Sequence, residues 1–360
     1  MGRADDFAAS TPDALIGQTL DGRYQIRARI GEGGMGAVYR AWETAAEREV
    51  AIKVIDERLG RDPVAVRRFL REARLARQMS QANTIRVYDV GQSADGRLYL
   101  AMELVRGRTL AEVLAIDGPF SVARAAGVGV QLCDALEAAH GLEIVHRDLK
   151  PSNIIVLDPP DQPPDEPLGR ELIKVLDFGL ARSFAADAAR LTESGLVVGT
   201  PRYMSPEQIA GDPPAPACDL YALGVILGEL TTGGALWDGG SYTQLAVQKT
   251  SPSPKIDDVP APLRELVGRL LAARPADRPA TAAEVRGLLR GLIQDPDLEP
   301  AVDQPPRSYL GLAAIVLILA GVAFIVVDAI RRPPPGFRAP DEWDVESPPP
   351  AADAGADGRP

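Results

Sequence analysis

The stretch of sequence that decides the fold is Ile144-Val145-His146-Arg147-Asp148-Leu149-Lys150-Pro151-Ser152-Asn153. It opens with an apolar pair and is followed by the apolar run 154–157. Short apolar runs on both sides of a polar loop that contains proline predict two β-strands that hold the loop in place. A loop held in this way can direct Asp148 at a hydroxyl group, Lys150 at a phosphate and Asn153 at a metal ion.

A second motif, Lys174-Val175-Leu176-Asp177-Phe178-Gly179, predicts a strand that ends in a carboxylate and a glycine. Taken alone, either motif fits an Asp-containing turn on an ordinary α/β domain. Their order, and the motifs around them, oppose that interpretation. Together they resemble the catalytic loop and the metal-binding Asp-Phe-Gly turn of bacterial eukaryotic-like protein kinases. The lysine two residues after the catalytic aspartate is typical of the serine/threonine version.

The composition excludes several other classes of protein. The chain has 360 residues and a net charge of −11, so we expect no nucleic-acid partner. Its two cysteines, Cys133 and Cys218, lie apart in apolar helical patterns and are too few for a zinc cluster. Residues 1–20 are polar and interrupted by Asp and Pro, which predicts a flexible amino-terminal arm and no signal peptide.

Upstream, an alternating run ends in Gly31-Glu32-Gly33-Gly34-Met35-Gly36. Glycines lack a Cβ atom, so backbone N–H groups can close over the phosphates of a nucleotide. A dinucleotide-binding fold uses the same glycine spacing but continues as a helix. Residues 37–42 are instead β-branched, aromatic and alternating, which predicts a strand–turn–strand hairpin and favours ATP over NAD.

One lysine, Lys53, lies in the middle of the apolar strand predicted over residues 49–55. A buried unpaired lysine is costly, so the alternative is an edge strand whose lysine reaches water. Its position, seventeen residues after the last glycine of the loop, matches the kinase lysine that holds the α- and β-phosphates. Its partner in that family is a glutamate on the next helix. We choose Glu72 over Glu57, on a helix that begins at Pro63, because Glu72 lies beside the apolar stripe.

Residues 85–90 and 98–104 predict a hairpin whose second strand runs, by resemblance, into the hinge between two lobes. Met102 would lie at the back of the nucleotide pocket, and Glu103 and Val105 would offer backbone groups to adenine. The resemblance thus implies an ATP site formed by Ile30, Gly31, Glu32, Gly33, Gly34, Met35, Gly36, Ala37, Val38, Ala51, Lys53, Met102, Glu103 and Val105.

Beyond the hinge the pattern becomes helical, with a long apolar helix predicted over residues 122–140. His140 and His146 are the only histidines, and both are interpreted as structural, His146 against the metal-binding turn. Residues 158–171 are acidic and rich in proline, which predicts an exposed loop between two short strands. Gln81-Ala82-Asn83 stands where many relatives have His-Pro-Asn, in a loop expected to lie away from the phosphates.

Further residues match positions that brace the kinase fold. Pro206-Glu207 ends the activation segment, with Ser205 in place of the usual alanine. By resemblance, Arg278 pairs with Glu207, and Asp219 braces the backbone of the catalytic loop. With these motifs in order, the resemblance covers residues 24–292.

The resemblance implies a role for each polar residue of the site. Lys53, held by Glu72, would orient the α- and β-phosphates of ATP. Asn153 and Asp177 would bind Mg²⁺ or Mn²⁺. Phosphoryl transfer needs alignment and neutralisation of phosphate charge more than covalent help from the protein.

The remaining roles concern transfer and its control. Asp148 would accept a hydrogen bond from the substrate hydroxyl and take its proton, and Lys150 would stabilise charge near the γ-phosphate. In relatives with an Arg-Asp pair, the arginine, here Arg147, helps bind a phosphate on the activation segment. Thr192 and Ser194 are the candidate regulatory phosphosites, with ordinary polar loop residues as the alternative.

The predicted fold class is α+β: a bilobal protein kinase fold followed by a single C-terminal transmembrane helix. The predicted segments are a flexible arm (1–20), the kinase domain (21–292) with a β-rich N-lobe (about 21–104) and a helical C-lobe (about 105–292), a linker (293–308), the transmembrane helix (309–330) and a short disordered tail (331–360).

The membrane prediction depends on residues 309–327, which carry no charge and are rich in Leu, Ile, Val and Ala. About 20 apolar residues span a bilayer core, and a buried helix of a soluble domain is the alternative. Because ATP and Mg²⁺ are cytoplasmic, we expect a single-pass protein of the cytoplasmic (inner) membrane with its kinase domain in the cytoplasm. The basic residues Arg331, Arg332 and Arg338 would instead place the tail inside.

The expected function is ATP-dependent phosphorylation of serine and threonine hydroxyls on proteins in membrane-associated signalling. Autophosphorylation of the activation segment would take place in a homodimer. The alternative is a catalytically weak or dead kinase-fold scaffold. It is disfavoured because Lys53, Asp148, Asn153 and Asp177 are all present. A small-molecule phosphotransferase is disfavoured by Lys150 and by residues 199–207, which in the family shape a peptide-binding surface.

Overall fold

The computed structural model describes residues 13–33, 36–56, 62–93, 95–158, 171–178, 201–237, 242–250 and 254–294. Its first lobe is built on a six-stranded sheet with the order β1-β2-β3-β4-β6-β5, in which every neighbouring pair is antiparallel. The strands are β1 Thr19–Leu20, β2 Tyr24–Gly33, β3 Gly36–Glu43, β4 Arg48–Ile55, β5 Val87–Gln92 and β6 Leu98–Glu103.

One helix, α1 (Pro63–Ala76), packs against this sheet. It begins at the predicted proline, and the Asp62 carboxylate caps it by accepting from the N–H groups of Val64 (2.9 Å) and Ala65 (3.3 Å). Phe69 is fully buried on the inner face of the helix. The predicted apolar stripe therefore faces the sheet.

Residues 13–20 belong to the first lobe and correct the prediction of a flexible arm through residue 20. β1 pairs with β2, and Leu15 and Leu20 are buried in the same cluster as Tyr24. Tyr39 donates a hydrogen bond from its hydroxyl to Asp13 at 2.8 Å. Most of this segment is polar, so the two leucines that attach it to the sheet gave no clear apolar pattern in the sequence. Residues 1–12 lie outside the described residues.

The second lobe is helical. Its helices are α2 Leu110–Asp117, α3 Val122–His140, α4 Pro206–Ala210, α5 Pro216–Thr232, α6 Tyr242–Thr250, α7 Ala261–Leu270 and α8 Ala282–Gln294. α3 packs against α5 and α8, and α5 is buried along nearly its whole length. A helix that is apolar on all sides is typical of a core position. The long helix predicted over residues 122–140 is confirmed as α3.

A small sheet carries the polar motifs of the second lobe, with β7 (Gly107–Thr109), β8 (Ile154–Leu157) and β9 (Ile173–Val175) in that order. The strand predicted at Ile144 and Val145 is wrong: the pair is buried without strand pairing, and Ile144 donates its N–H to the carbonyl of Ala139 at 2.9 Å. The two residues are apolar because they are buried, and a short apolar run also predicts a strand.

The predicted two-lobed α+β architecture is confirmed. The two short strands predicted on either side of the proline-rich segment are present as β8 and β9, and residues 159–170 of that segment lie outside the described residues. Across the described part of the chain, no helix has the length and apolar character needed to cross a membrane. The predicted transmembrane helix, 309–330, lies outside the described residues.

Candidate active site

The loop at residues 146–150 is held by a buried carboxylate. Asp219, in the first turn of α5, is 1% exposed and accepts hydrogen bonds from the backbone N–H groups of His146 (2.8 Å) and Arg147 (2.9 Å). His140 contacts the same carboxylate through Nε2 at 2.9 Å. Hydrogen bonds to a buried carboxylate are among the strong ones, so the backbone of the loop is fixed from α5.

His146 connects this loop to the turn that carries Asp177. Its Nδ1 accepts from the N–H of Asp148 (3.3 Å), which assigns the proton to Nε2, and Nε2 donates to the carbonyl of Leu176 (2.8 Å). The His146 ring lies edge-on to the Phe178 ring, with the two ring centroids 4.9 Å apart. Both histidines are thus structural, as the sequence predicted.

The loop gathers three polar side chains. Asp148 Oδ2 accepts from Lys150 Nζ (2.8 Å) and from Asn153 Nδ2 (3.1 Å), and Asn153 Nδ2 also donates to the Asp148 carbonyl (2.8 Å). The side chain of Asp148 remains 24% exposed, so a hydroxyl group can approach it. Since both side-chain bonds of Asn153 within the described residues use its amide nitrogen, its amide oxygen has no partner among them and can bind another group.

Lys53 meets Asp177 across the two lobes, with Nζ 2.6 Å from Oδ2. β4 lies between β3 and β6, so the alternative of an edge-strand lysine is wrong. Burial alone would raise the pKa of the Asp177 carboxyl, but the Lys53 ammonium outweighs it and holds that pKa below its usual value. The carboxylate is therefore ionised at neutral pH.

Four of the predicted nucleotide-binding residues, Val38, Ala51, Lys53 and Met102, share one face of the sheet. Val38 is the cross-strand partner of Lys53, and Ala51, two residues before Lys53, is the partner of Met102. Cross-strand partners and residues two apart point to the same side of a sheet. The face is continuous from β3 to β6.

The sequence profile of the protein kinase domain family matches residues 24–287. The chain belongs to the protein kinase family. Pkn3 of Myxococcus xanthus, a serine/threonine-protein kinase, is 38% identical over 317 residues, which cover 85% of this chain and 56% of that protein. PknL of Mycobacterium tuberculosis, also a serine/threonine-protein kinase, is 37% identical over 306 residues, with coverage of 83% and 73%.

A third relative is the probable serine/threonine-protein kinase PknB of Corynebacterium glutamicum, 36% identical over 300 residues, or 80% of this chain and 44% of that protein. The chain thus spans about half the length of the Myxococcus and Corynebacterium kinases. Among solved structures, the kinase domain of PknI from M. tuberculosis superposes with a TM-score of 0.60 at 25% identity. That superposition covers 77% of this chain and 97% of the PknI chain.

The kinase hairpin at residues 24–43 follows the prediction, since β3 comes directly after the glycines where a dinucleotide-binding fold has a helix. Gly36, paired with Gly33, has φ +138°, and a Cβ there would lie 1.9 Å from the carbonyl oxygen of Val54. Only glycine fits this approach of two backbones. Gly34 and Met35 lie outside the described residues.

The expected Lys53–Glu72 pair of this kinase is not formed among the described residues. Glu72 Oε1 lies 3.6 Å from Arg147 instead, while Lys53 is paired with Asp177. Burial raises the pKa of the Glu72 carboxyl, and Arg147 is the strongest of the arginines that oppose this rise. The positions of both residues were predicted, but their pairing in this structure was not.

Two residues of the kinase loop turns have left-handed backbones, Arg147 at φ +67° and Asp177 at φ +55°. Such conformations are strained for residues other than glycine and cluster at functional sites. The Arg147 Nε is buried and has no hydrogen-bond partner in the part of the chain that the structure describes. The guanidinium therefore retains a free donor beside the catalytic loop.

At the hinge, β6 ends at Glu103, and Val105 lies in the connection to β7. The Glu103 N–H donates to the carbonyl of Arg86 at 2.9 Å, and its carboxylate lies 3.0 Å from Lys174 Nζ. Met102 is 8% exposed at the inner side of the strand. These placements fit the predicted hinge.

The segment that ends the kinase activation loop is anchored twice. Arg278 forms a two-pronged ion pair with Glu207, at 2.6 and 2.8 Å. Ser205 caps α4 in a reciprocal capping box with Gln208, which gives the departure from alanine a structural role. Gln208 Nε2 also donates to the carbonyl of Arg147 at 2.9 Å, so this segment contacts the catalytic loop.

Sequence reasoning overlooked the role of the Gln81-Ala82-Asn83 loop. Asn83 is buried and donates to Gln131 on α3 (2.8 Å) and to the carbonyl of Ile173 (2.9 Å), and its own carbonyl accepts from Val175 (2.8 Å). The loop therefore holds β9, which ends two residues before Asp177. A single asparagine in a short loop belongs to no sequence pattern that predicts this contact.

The polar residues fit MgATP. A carboxylate on Asp177 and an amide oxygen on Asn153 are the oxygen ligands that Mg²⁺ prefers. The ammonium of Lys53 stands next to the Asp177 carboxylate, where it would supply positive charge to the phosphates of the bound nucleotide. The candidate phosphosites Thr192 and Ser194 lie outside the described residues.

Proposed function

We propose that this chain is an ATP-dependent serine/threonine protein kinase. The observation that carries the proposal is the Lys53–Asp177 ion pair together with the Asp148–Lys150–Asn153 cluster, which the N–H of Leu176 joins by donating to the carbonyl of Asn153 at 2.8 Å. The names of its relatives support the substrate class, as does Lys150 two residues after Asp148.

The proposed mechanism relies on orientation and charge. MgATP, when bound, supplies the phosphoryl group and a divalent charge that neutralises the phosphates. Asn153 and Asp177 would hold the metal, and Lys53 would hold the α- and β-phosphates. Asp148 would orient the acceptor hydroxyl and take its proton late in the transfer, and Lys150, already at its carboxylate, would stabilise charge on the transferred group.

We propose further that a phosphate on Thr192 or Ser194 activates the enzyme. Arg147 is paired with Glu72 at 3.6 Å in the described structure and keeps a buried donor without a partner. A phosphate brings about −1.5 to −2 charges and binds arginine strongly. It would compete with Glu72 for the guanidinium and release Glu72 towards Lys53.

Membrane attachment is also a proposal, supported by sequence alone. Residues 309–327 are uncharged and long enough to span a bilayer core. The kinase domain would then lie on the cytoplasmic side of the inner membrane, where protein substrates and MgATP are available. Anchoring would raise the local concentration of two copies and favour autophosphorylation in a homodimer.

The experiment that tests the central proposal is Asp148→Asn. The variant should keep its affinity for MgATP and lose at least about 99% of its transfer to myelin basic protein, since general-base groups contribute about 10²–10⁴-fold. The control Asp258→Asn changes an exposed carboxylate of the same lobe and should transfer phosphate as the wild type does. Undiminished transfer by Asp148→Asn would refute the assignment. A wild-type chain that binds MgATP without transfer would favour the scaffold alternative.

A further inference from the structure

A buried lysine that the proposed mechanism does not use lies on α6. Lys249 is 3% exposed, and its Nζ donates to two backbone carbonyls, those of Arg202 (2.5 Å) and Met204 (2.6 Å). These carbonyls flank Tyr203, in the segment just before α4. A single ammonium on α6 thus binds two carbonyls of one short segment, which lie 47 and 45 positions earlier in the sequence.

The surroundings of Lys249 are aromatic. Its ammonium lies 4.6 Å from the ring centroid of Trp237 and 5.1 Å from that of Tyr221. Two charged groups face it, Glu229 from α5 and Arg202 from the segment itself. Burial lowers the pKa of Lys249 to about 7, an effect that Glu229 opposes. The two carbonyls and the two ring faces offset the cost of removing the charge from water.

The segment that Lys249 holds is also fixed by side chains at other points. Tyr203 donates from its hydroxyl to Glu229 at 2.7 Å, and Arg202 pairs with the same carboxylate. Just beyond the segment, Gln208 in α4 donates to the carbonyl of Arg147 in the catalytic loop at 2.9 Å. Among these contacts, only those of Lys249 act on the backbone of residues 202–204.

We propose that Lys249 is a positioning residue for the acceptor-binding segment, residues 201–205, and that its ammonium sets the affinity of the kinase for its protein substrate. The inference rests on the proposed function and on the resemblance by which residues 199–207 would shape the peptide-binding surface. An apolar side chain at position 249 would leave the carbonyls of Arg202 and Met204 without their charged donor inside the lobe. The segment would then shift while the nucleotide site, whose Lys53–Asp177 ion pair uses no residue of this segment, stays in place.

A positioning role and a merely structural role predict different kinetics. Loss of stability alone lowers the concentration of active enzyme, so it changes the apparent kcat for every substrate equally. A displaced acceptor segment raises KM for the protein substrate and leaves KM for ATP unchanged, because the two substrates contact different elements. The ratio of the two KM values therefore separates the roles.

The test compares Lys249→Met with Lys249→Arg and with Lys255→Met in the full chain, with myelin basic protein as the acceptor. Lys255 is an exposed lysine of the same lobe. Lys249→Met should raise KM for the acceptor about tenfold and change KM for ATP less than about twofold. Lys249→Arg keeps a cation and should recover part of the loss. A Lys249→Met enzyme with an unchanged KM for the acceptor overturns the inference.

A second measurement decides the matter without relying on kinase activity. Hydrogen exchange of the amides at residues 202–205, 207 and 208 should be about tenfold faster in Lys249→Met than in Lys255→Met, while exchange in α3 stays the same. Unchanged exchange at this segment overturns the inference even if the chain transfers phosphate. Faster exchange in a chain that transfers nothing would support the role of Lys249 and refute the proposed function separately.

Discussion

Arg278→Met should destabilise the second lobe strongly. The Arg278 side chain is fully buried, and its guanidinium donates to both oxygens of Glu207 (2.6 and 2.8 Å). It also donates to the carbonyls of Ala272 (2.8 Å), Ala217 (2.9 Å) and Ala273 (3.2 Å). Methionine fills much of the same volume but supplies none of these donors. The carboxylate of Glu207, 11% exposed, would be left without its counter-charge.

Breaking a buried ion pair by removing one partner costs about 3–5 kcal/mol, so we expect a loss of about 4 kcal/mol in the free energy of unfolding. The matched control is Arg274→Met. Arg274 pairs with Asp277 at 2.7 and 2.9 Å, but its side chain is 80% exposed, so its loss should change the free energy of unfolding little.

The pair also predicts a pH dependence with a defined sign. Burial would raise the pKa of Glu207, but the hydrogen bonds from Arg278 outweigh it and hold the pKa below its usual value. The stabilisation is therefore complete above the unfolded-state pKa of about 4.3 and is lost as the pH falls through the lower folded-state pKa. The difference in stability between wild type and Arg278→Met should shrink below about pH 4.

Urea unfolding monitored by circular dichroism at 222 nm measures each of these free energies. The double variant Arg278→Met with Glu207→Gln should be about 2 kcal/mol more stable than Arg278→Met alone, because it leaves no unpaired buried charge. A double variant no more stable than the single one would refute the reasoning. So would a loss for Arg278→Met as small as that for Arg274→Met.

Two further predictions concern activation and topology. Thr192→Ala with Ser194→Ala should lower activity several-fold without changing nucleotide affinity, and mass spectrometry that finds no phosphate at either site in fully active enzyme would contradict the activation proposal. Protease added to intact spheroplasts should remove only the tail at 331–360, whereas digestion of the kinase domain from outside would overturn the proposed orientation.

The sequence predicted those parts of the site that lie within short motifs. The apolar pattern of residues 49–55 placed Lys53 on a strand, and the structure puts it on β4, paired with Asp177. Pattern also placed Glu72 on α1, yet not its contact with Arg147, because the choice between two partners depends on how the helix lies against the second lobe. Local patterns encode elements, and the pairing of charges depends on distances that no local pattern contains.

Other residues escaped prediction for the same reason. Asn83 and Lys249 are single polar residues in unremarkable surroundings of sequence, but both are buried against backbone carbonyls far along the chain. The opposite error occurred at Ile144 and Val145, where burial without strand pairing gave the apolar signal of a strand. Apolar pattern reports burial more directly than it reports hydrogen bonding.

The carboxylate of Asp219 has a consequence for the order in which activity appears during synthesis. Lys53 and Asp177, 124 positions apart, are both present once the ribosome has passed the second of them, and Asp148 lies between. The backbone of the catalytic loop, however, depends on a side chain that lies 72 and 73 positions downstream of Arg147 and His146. A nascent chain that already carries every reacting group therefore remains without an ordered loop until α5 has been made and packed.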